Sequence, residues 1–239
     1  MSNPYFRFKQ FTVWHDRCAM KVGTDGTLLG AWTELRGCQT ILDVGCGSGL
    51  VALMLAQRSE ASIDAIDIDA DAVAQTRINI ANSPFAGRIR AWHEPLQQFS
   101  RQAERAGAYD LIVSNPPYFV SSLKCPDKQR NTARHTDTLP LDELFEGCRK
   151  LLAPHGHFAL ILPYDQREML FATAHLHAFF LHRETAVYST PNAAPKRILA
   201  DFALETSPAP LSDTLTIERA DHQFTDEFRK LAQDFYLKL

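Results

Sequence analysis

Four consecutive residues, Asn115, Pro116, Pro117 and Tyr118, follow an apolar run typical of a buried strand. The prolines end that strand, because each lacks an N–H and has a fixed φ. The Asn115 side-chain oxygen and the Pro116 carbonyl can then both accept hydrogen bonds from one planar NH₂ group, while Tyr118 stacks on its plane. Because such acceptors favour the electron-rich form of an amine in the transition state, the motif predicts a catalytic site for amine attack. A turn that merely ends a strand is the alternative.

An acid and three glycines occupy every second position at the end of another apolar run: Asp43, Gly45, Gly47 and Gly49. A glycine-rich turn at the end of a strand in an open α/β sheet lets a ligand approach the main chain. A dinucleotide fingerprint would place its third glycine at position 50, which is Leu50 here. The observed spacing suits a ligand with an ammonium group and no pyrophosphate. A plain tight turn between strand and helix is the alternative.

Asp67 ends the next strand-like run. A carboxylate at this strand end can accept hydrogen bonds from both hydroxyl groups of a ribose. Asp69 and Asp71 are better explained as acids at a helix N-terminus. Together with the glycine-rich turn, Asp67 predicts a nucleoside cofactor, and a sulfonium methyl group on it would be a suitable electrophile for the amine.

The elements that must position these residues alternate between strand and helix. Strand-like runs occupy 40–44, 62–67, 88–92, 109–113 and 157–163, and helical patterns occupy 50–58 and 69–81. This alternation predicts right-handed crossovers and a parallel sheet covered on both faces, which is a doubly wound α/β fold. Two later runs, 179–189 and 197–204, predict an antiparallel hairpin at one edge of a seven-stranded sheet. A terminal helix is expected within 225–239.

The composition limits the classes of protein to which the chain can belong. A chain of 239 residues with 45% hydrophobic content can bury a substantial core. No apolar run is long enough for a membrane helix, and residues 1–11 do not resemble a targeting signal. Five scattered cysteines without C-x-x-C spacing argue against a disulfide framework and against a zinc site. We therefore expect a soluble cytoplasmic protein with no metal, no membrane and no obligate protein partner.

A net charge of -3 gives no overall indication of nucleic-acid binding, so an RNA partner would need a local basic patch. The stretch 121–135 is one candidate, with the alternative of an ordinary solvated loop; its cations include Lys124, Lys128, Arg130 and Arg134. Lys196 and Arg197, at the start of the last predicted strand, are further candidates for contacts with RNA phosphate.

The motifs at 43–49 and 115–118 resemble those of S-adenosylmethionine-dependent amino-group methyltransferases. Within that group, residues 8–32 resemble the amino-terminal segment of the bacterial tRNA adenine-N6 methyltransferase family that acts next to the anticodon of valine tRNA. The similarity continues through 50–58, 129–139, 195–204 and 235–239, so it covers nearly the whole chain. It implies one class I, Rossmann-like methyltransferase domain: a segment at 1–35 that closes the cofactor site, a core at 36–205 and an extension with a helix at 206–239.

The resemblance also implies how the cofactor S-adenosylmethionine is held. The segment from Lys21 to Gly26, including Asp25, would wrap its methionine end, with Thr24 near the carboxylate. Asp67, with Ile68 beside it, would hold the ribose, and Asn115 would complete the set. Relatives place an acid after the third strand to bind the cofactor adenine. Here that position is Pro95, so adenine recognition is expected to move to Glu94 or to main-chain groups.

The implied substrate is a tRNA, and its adenine must leave the base stack for its amine to reach Asn115. Three other functions are weighed against this one. A protein glutamine methyltransferase shares the motif, but the amino-terminal segment is too short for a helical docking domain. A DNA adenine methyltransferase would need a target-recognition domain for which there is no room. A non-catalytic RNA-binding protein on the same fold would be expected to have lost the glycines or Asn115.

Overall fold

The computed structural model describes residues 3–18, 21–117 and 139–239. Its strands are β1 (Tyr5–Arg7), β2 (Thr12–Trp14), β3 (Thr40–Val44), β4 (Ser62–Asp67), β5 (Ile89–His93), β6 (Tyr109–Ser114), β7 (Leu152–Pro163), β8 (Phe180–Tyr188), β9 (Pro195–Ala203) and β10 (Leu211–Thr216). Its helices are α1 (Thr24–Trp32), α2 (Leu50–Arg58), α3 (Ala70–Ala81), α4 (Leu96–Phe99), α5 (Leu141–Leu151), α6 (Arg167–Leu176) and α7 (Asp226–Ala232). The predicted strands 40–44 and 62–67 and the predicted helix 50–58 have the observed bounds.

Eight of the described strands form one mixed sheet in the order β10-β8-β9-β7-β6-β3-β4-β5. Neighbouring strands pair in parallel along the series β7-β6-β3-β4-β5. β9 pairs antiparallel with both β7 and β8. This arrangement confirms the predicted doubly wound, mostly parallel sheet with an antiparallel hairpin.

The sheet has one strand more than the seven expected. β10 pairs in parallel with β8, so the hairpin of β8 and β9 does not form the sheet edge. Five of the six β10 residues are exposed or half-buried, and Leu215 is its one buried residue. Because β10 is mostly polar, its sequence carries little of the apolar pattern that indicates a strand.

The central strands are buried on both faces, which explains why they are apolar at consecutive positions. Ile41, Leu111 and Val113 face a core formed with α1 and α2. Leu42 and Ile112 face a second core, formed with α5 and α6. The alternation of side chains along each strand therefore supplies both cores, and the polar residues that follow these strands are left at the sheet edge.

A short hairpin of β1 and β2 packs outside the main sheet. Its continuation meets the carboxyl-terminal segment, where Phe8 forms a bridge with Tyr236 and the Lys9 N–H donates to Phe235 O at 2.8 Å. On its other side, the side chain of Asn79 in α3 exchanges hydrogen bonds with the main chain of Trp14. The hairpin thus fixes the chain that leads into α1. Within the described ranges, no helix is long and apolar enough to cross a membrane.

Candidate active site

Three neighbouring parallel strands end at the same edge of the sheet and bring the predicted motifs together. Val44 of β3 pairs with Ser114 of β6 on one side and with Ile66 of β4 on the other. The residues that follow each strand therefore line one cavity, of about 710 Å³. Carboxyl ends of parallel strands are the usual place for a ligand in an open α/β sheet.

The glycine-rich turn keeps its main chain open toward the cavity. Gly45, Gly47 and Gly49 have φ values of 73°, 55° and 78°, in the region that side chains disfavour. The carbonyl of Gly47 accepts a hydrogen bond from Thr76 Oγ1 at 2.7 Å. At Gly49 a Cβ would lie 2.9 Å from Thr76 Cγ2. The turn is thus fixed against α3, and Gly49 provides close packing there without lining the cavity.

Asp67 joins this turn to the end of β4. Its Oδ2 accepts a hydrogen bond from Gly47 N at 2.8 Å, and its Oδ1 accepts one from Asp69 N at 2.9 Å. Burial raises the pKa of Asp67, while these main-chain donors lower it. Each carboxylate oxygen keeps a further lone pair, so Asp67 can still accept hydrogen bonds from two ribose hydroxyls.

Asp43 lies beneath the turn and is 1% exposed. Burial raises its pKa from 3.8 to about 7, although the hydrogen bond from Ala52 N at 3.1 Å lowers it. The Asp67 carboxylate raises the Asp43 pKa further by repulsion. A cation bound in the cavity would stabilise the ionised Asp43 and so oppose both effects on its pKa.

The charges that line the cavity favour a cationic ligand. Among the described residues, five carboxylates and one lysine line it: Asp25, Asp43, Asp67, Asp69, Glu94 and Lys21. A pyrophosphate would be repelled by this lining, whereas a nucleoside with a positively charged group would be attracted. The cavity therefore fits a sulfonium nucleoside.

Asn115 provides the acceptor that the sequence predicts. Its Oδ1 is buried and accepts no hydrogen bond from the described residues. An unpaired buried acceptor costs about 1–3 kcal/mol, so it points to a donor supplied by a ligand. Pro116 is buried beside it, and Pro117 also lines the cavity.

The segment before α1 forms one wall of the cavity. His15, which is 6% exposed, fastens this segment: its Nδ1 accepts from Val22 N at 3.4 Å, and its Nε2 lies 3.0 Å from Asn3 O. Lys21, Asp25 and Gly26 all line the cavity, and their contact with a cofactor stays a prediction. At Gly26 a Cβ would lie 2.9 Å from Leu50, which explains the close approach of α1 to α2.

The adenine end of the predicted site contains Ile68, Glu94 and Pro95, and all three line the cavity. Ile68 is 56% exposed, which leaves an apolar surface beside Asp67. Glu94 Oε1 accepts a hydrogen bond from Gln102 Nε2 at 2.6 Å, so its carboxylate is held in place. A role for Glu94 in adenine recognition stays a prediction.

Four predicted site residues in the described structure do not line the cavity: Gly49, which packs against α3, and Thr24, Lys196 and Arg197. Thr24 lines a neighbouring groove together with Lys196 and Arg197. Thr24 begins α1, so its side chain leaves the helix in a different direction from that of Asp25, which lines both the groove and the cavity. Five further predicted residues lie outside the described residues: Tyr118, Lys124, Lys128, Arg130 and Arg134.

Several residues that support the site had no sequence motif to reveal them. Asn79 is fully buried; its Nδ2 donates to Trp14 O and to Ser48 O, both at 2.8 Å, and its Oδ1 accepts from Trp14 N at 2.9 Å. Asn79 thereby ties β2 to the glycine-rich turn. The Ser114 hydroxyl donates to Val44 O at 2.9 Å and joins the ends of β6 and β3. A polar residue on the buried side of a helix was the one available signal for Asn79.

The fold and the cavity together define a class I methyltransferase. A predicted O-methyltransferase from Agrobacterium tumefaciens has the same fold, with a TM-score of 0.70 at 18% identity over 88% of this chain and 96% of its own. Residues 23–186 match the family described as Methyltransferase small domain.

The curated relatives narrow this class. Proteins named tRNA1(Val) (adenine(37)-N6)-methyltransferase are 55% identical in Parabacteroides distasonis and 48% identical in Phocaeicola vulgatus, each over the full length of both chains. The relative of the same name from Serratia proteamaculans is 43% identical over 97% of this chain and 89% of its own. The chain belongs to this family of methyltransferases, which confirms the resemblance seen in the sequence.

Proposed function

We propose that the protein methylates the N6 amino group of adenine 37, next to the anticodon, in a valine tRNA. The observation that carries this proposal is the buried Oδ1 of Asn115, which has no hydrogen-bond partner among the described residues and lies at the wall of an acidic cavity. The curated relatives, which match over the full chain, support the same reaction. The cofactor is S-adenosylmethionine, which supplies an electrophilic methyl group when bound.

The residues of this chain favour the reaction in two ways. The glycine-rich turn, Asp67 and Asp43 would hold the cofactor, because the turn admits it closely and the acids attract its positive charge. Asn115 Oδ1 and the Pro116 carbonyl would accept hydrogen bonds from the adenine amine. These acceptors strengthen as the amine becomes pyramidal, so they lower the barrier more than they strengthen substrate binding.

No strong general base is required for this chemistry. The nitrogen becomes far more acidic when it gains a methyl group, so its proton can leave to solvent or to a carboxylate. The described chain accordingly needs only to orient the amine and to exclude competing acceptors.

The proposed RNA contacts rest on charge. Lys124, Lys128, Arg130 and Arg134 stay predictions, since they lie outside the described residues. Lys196 and Arg197 lie at the same sheet edge as Asn115, where a phosphate of the flipped-out strand would pass.

The test is a methyl-transfer assay with tritiated S-adenosylmethionine. Total tRNA from a strain that lacks this gene, genomic DNA and a release-factor protein are offered separately, and labelled nucleosides are identified. We expect N6-methyladenosine in one valine tRNA, and no label when adenine 37 of that tRNA is replaced by guanine. Label in protein or DNA alone would retain the amine chemistry and reject the tRNA substrate.

A further inference from the structure

We propose that a groove beside the cofactor cavity is a subsite for a nucleotide that neighbours the target adenine in the RNA strand. This inference rests on the proposed function and adds a second binding site to it. The groove has a volume of about 300 Å³ and lies between the start of α1, the end of β8 and the start of β9.

The groove opens on the same sheet edge as the catalytic motif. Ser114 pairs with Leu160 of β7, and Leu160 pairs with Ala200 of β9. Because β9 runs antiparallel, Arg197 lies beyond Ala200 toward the edge where Asn115 is found. Two strand spacings and two residue steps place the Cα atoms of Asn115 and Arg197 about 12 Å apart. That separation suits a nucleotide one or two positions from a base seated against Asn115.

One residue belongs to both the groove and the cavity. The Asp25 carboxylate lines the cofactor cavity, and its Oδ2 accepts a hydrogen bond from Arg197 Nε at 2.9 Å. Arg197 Nη1 also donates to Lys196 O at 2.9 Å. The guanidinium is therefore already held at the boundary between the two spaces, before any RNA arrives.

The charge of the groove complements a phosphate. Among the described residues that line the groove, Lys196 and Arg197 contribute two cations against the single carboxylate of Asp25. Lys196 is exposed and forms no ion pair with any residue in the described ranges. A phosphodiester beside Lys196 would complete this arrangement, and loss of its counterions would favour binding.

The remaining lining suits a base and a sugar. Leu28 and Val187 are buried beneath the groove, and Ile217 is half-buried at its side, where it offers an aromatic base an apolar contact. Exposed hydroxyls of Thr24 and Ser189 stand at the rim. An apolar floor, hydroxyl groups and a cationic end together match a nucleotide better than a phosphate alone.

The experiment is a double-mutant cycle between Lys196 and single phosphates of the RNA. Synthetic anticodon stem–loops carrying the target adenine are made with one phosphate at a time replaced by a neutral methylphosphonate. Binding of each to the wild type, Lys196→Ala and Lys150→Ala is measured over a range of salt. Lys150 is the control, because it is an exposed lysine on the opposite sheet edge, although it pairs with Glu146. It lies at the end of α5, where its carbonyl accepts a hydrogen bond from Gly107 N ahead of β6.

We expect Lys196→Ala to weaken binding about tenfold and to lower the salt slope by about 0.7, the value for one phosphate on a single strand. One methylphosphonate within two nucleotides of the adenine should weaken wild-type binding about equally, yet weaken Lys196→Ala by less than twofold. Lys150→Ala should behave as the wild type.

Two results would overturn the subsite. In one, Lys196→Ala binds the unmodified RNA as tightly as the wild type. In the other, every methylphosphonate weakens binding by the same factor in Lys196→Ala as in the wild type, so that Lys196 is coupled to none of the phosphates. The wild type is first assayed for N6 methylation of the same RNA. Methylation without coupling rejects the groove alone, whereas absence of methylation on any RNA rejects the proposed function and the subsite with it.

Discussion

The main-chain N–H of Gly47 donates a hydrogen bond of 2.8 Å to Oδ2 of Asp67. This bond fixes the glycine-rich turn after β3 relative to the end of β4. Because the same carboxylate faces the cavity, any change at Asp67 alters both the turn and the surface offered to the cofactor.

Asp67→Asn should weaken cofactor binding by about 10- to 100-fold, since a hydrogen bond to a charged group contributes about 1.5–3 kcal/mol. The amide has one acceptor oxygen in place of two. Titration calorimetry with S-adenosylhomocysteine measures this loss. Asp71→Asn, an exposed acid in the first turn of α3, is the control and should bind as the wild type. Equal losses in both variants would show that net charge matters and that the position of Asp67 does not.

Asn115→Ala should lower kcat by about 10² to 10³, because it removes an acceptor that acts mainly in the transition state. Affinity for S-adenosylhomocysteine should change by less than about twofold. Single-turnover kinetics and calorimetry separate the two effects. Asn82→Ala, an exposed asparagine just after α3, should match the wild type in both measurements. A large loss of cofactor affinity in Asn115→Ala would contradict the assigned role.

Gly49→Ala and Gly37→Ala form a matched pair. Both glycines have similar positive φ, 78° and 76°, so both substitutions should cost about 1–2 kcal/mol in backbone strain. At Gly37 a Cβ would meet no atom of the described residues within 4 Å, whereas at Gly49 it would lie 2.9 Å from Thr76. Urea unfolding should therefore show a further loss of about 1–3 kcal/mol in Gly49→Ala.

Cofactor affinity distinguishes the same pair. Only Gly49→Ala should bind the cofactor more weakly, because displacing Thr76 releases the Gly47 carbonyl that it holds. Equal stability and equal affinity in the two variants would mean that the turn is not fixed by Thr76.

Asp43 should make the folded state less stable as the pH rises. Its pKa is about 7 when folded and close to 3.8 when unfolded, so between these values the folded chain binds a proton that the unfolded chain lacks. The free energy of unfolding should therefore fall from pH 5 to pH 8 by about 2–3 kcal/mol from this group. Denaturation of Asp43→Asn across that range should lack this fall. Parallel curves for the two proteins would show that Asp43 is ionised throughout.

The sequence predicts those parts of the structure whose own residues form a recognisable pattern, such as an apolar run or a glycine-rich turn. The strands 40–44 and 62–67 are apolar enough to be buried on both faces, and the glycines and Asn115 follow such strands directly. The location of the site could thus be predicted, because the carboxyl ends of parallel strands lie at the same edge of the sheet. β10 is polar, and β1 and β2 have three residues each, so their positions depend on tertiary contacts that no local pattern encodes. The placement of Thr24 in the groove and of Asn79 against two distant segments likewise depends on packing.

The contact between the β1–β2 hairpin and residues 235–236 has a consequence for synthesis. Lys9 Nζ donates to Gln233 O across 224 positions of the chain, and Phe8 bridges to Tyr236 nearby. Contacts of such high sequence separation form late, because a long loop must close first. On a ribosome that adds about 5–20 residues per second, the hairpin waits about 10–50 s for its partner. The wall of the cavity that follows this hairpin is therefore among the last parts of the nascent enzyme to be completed.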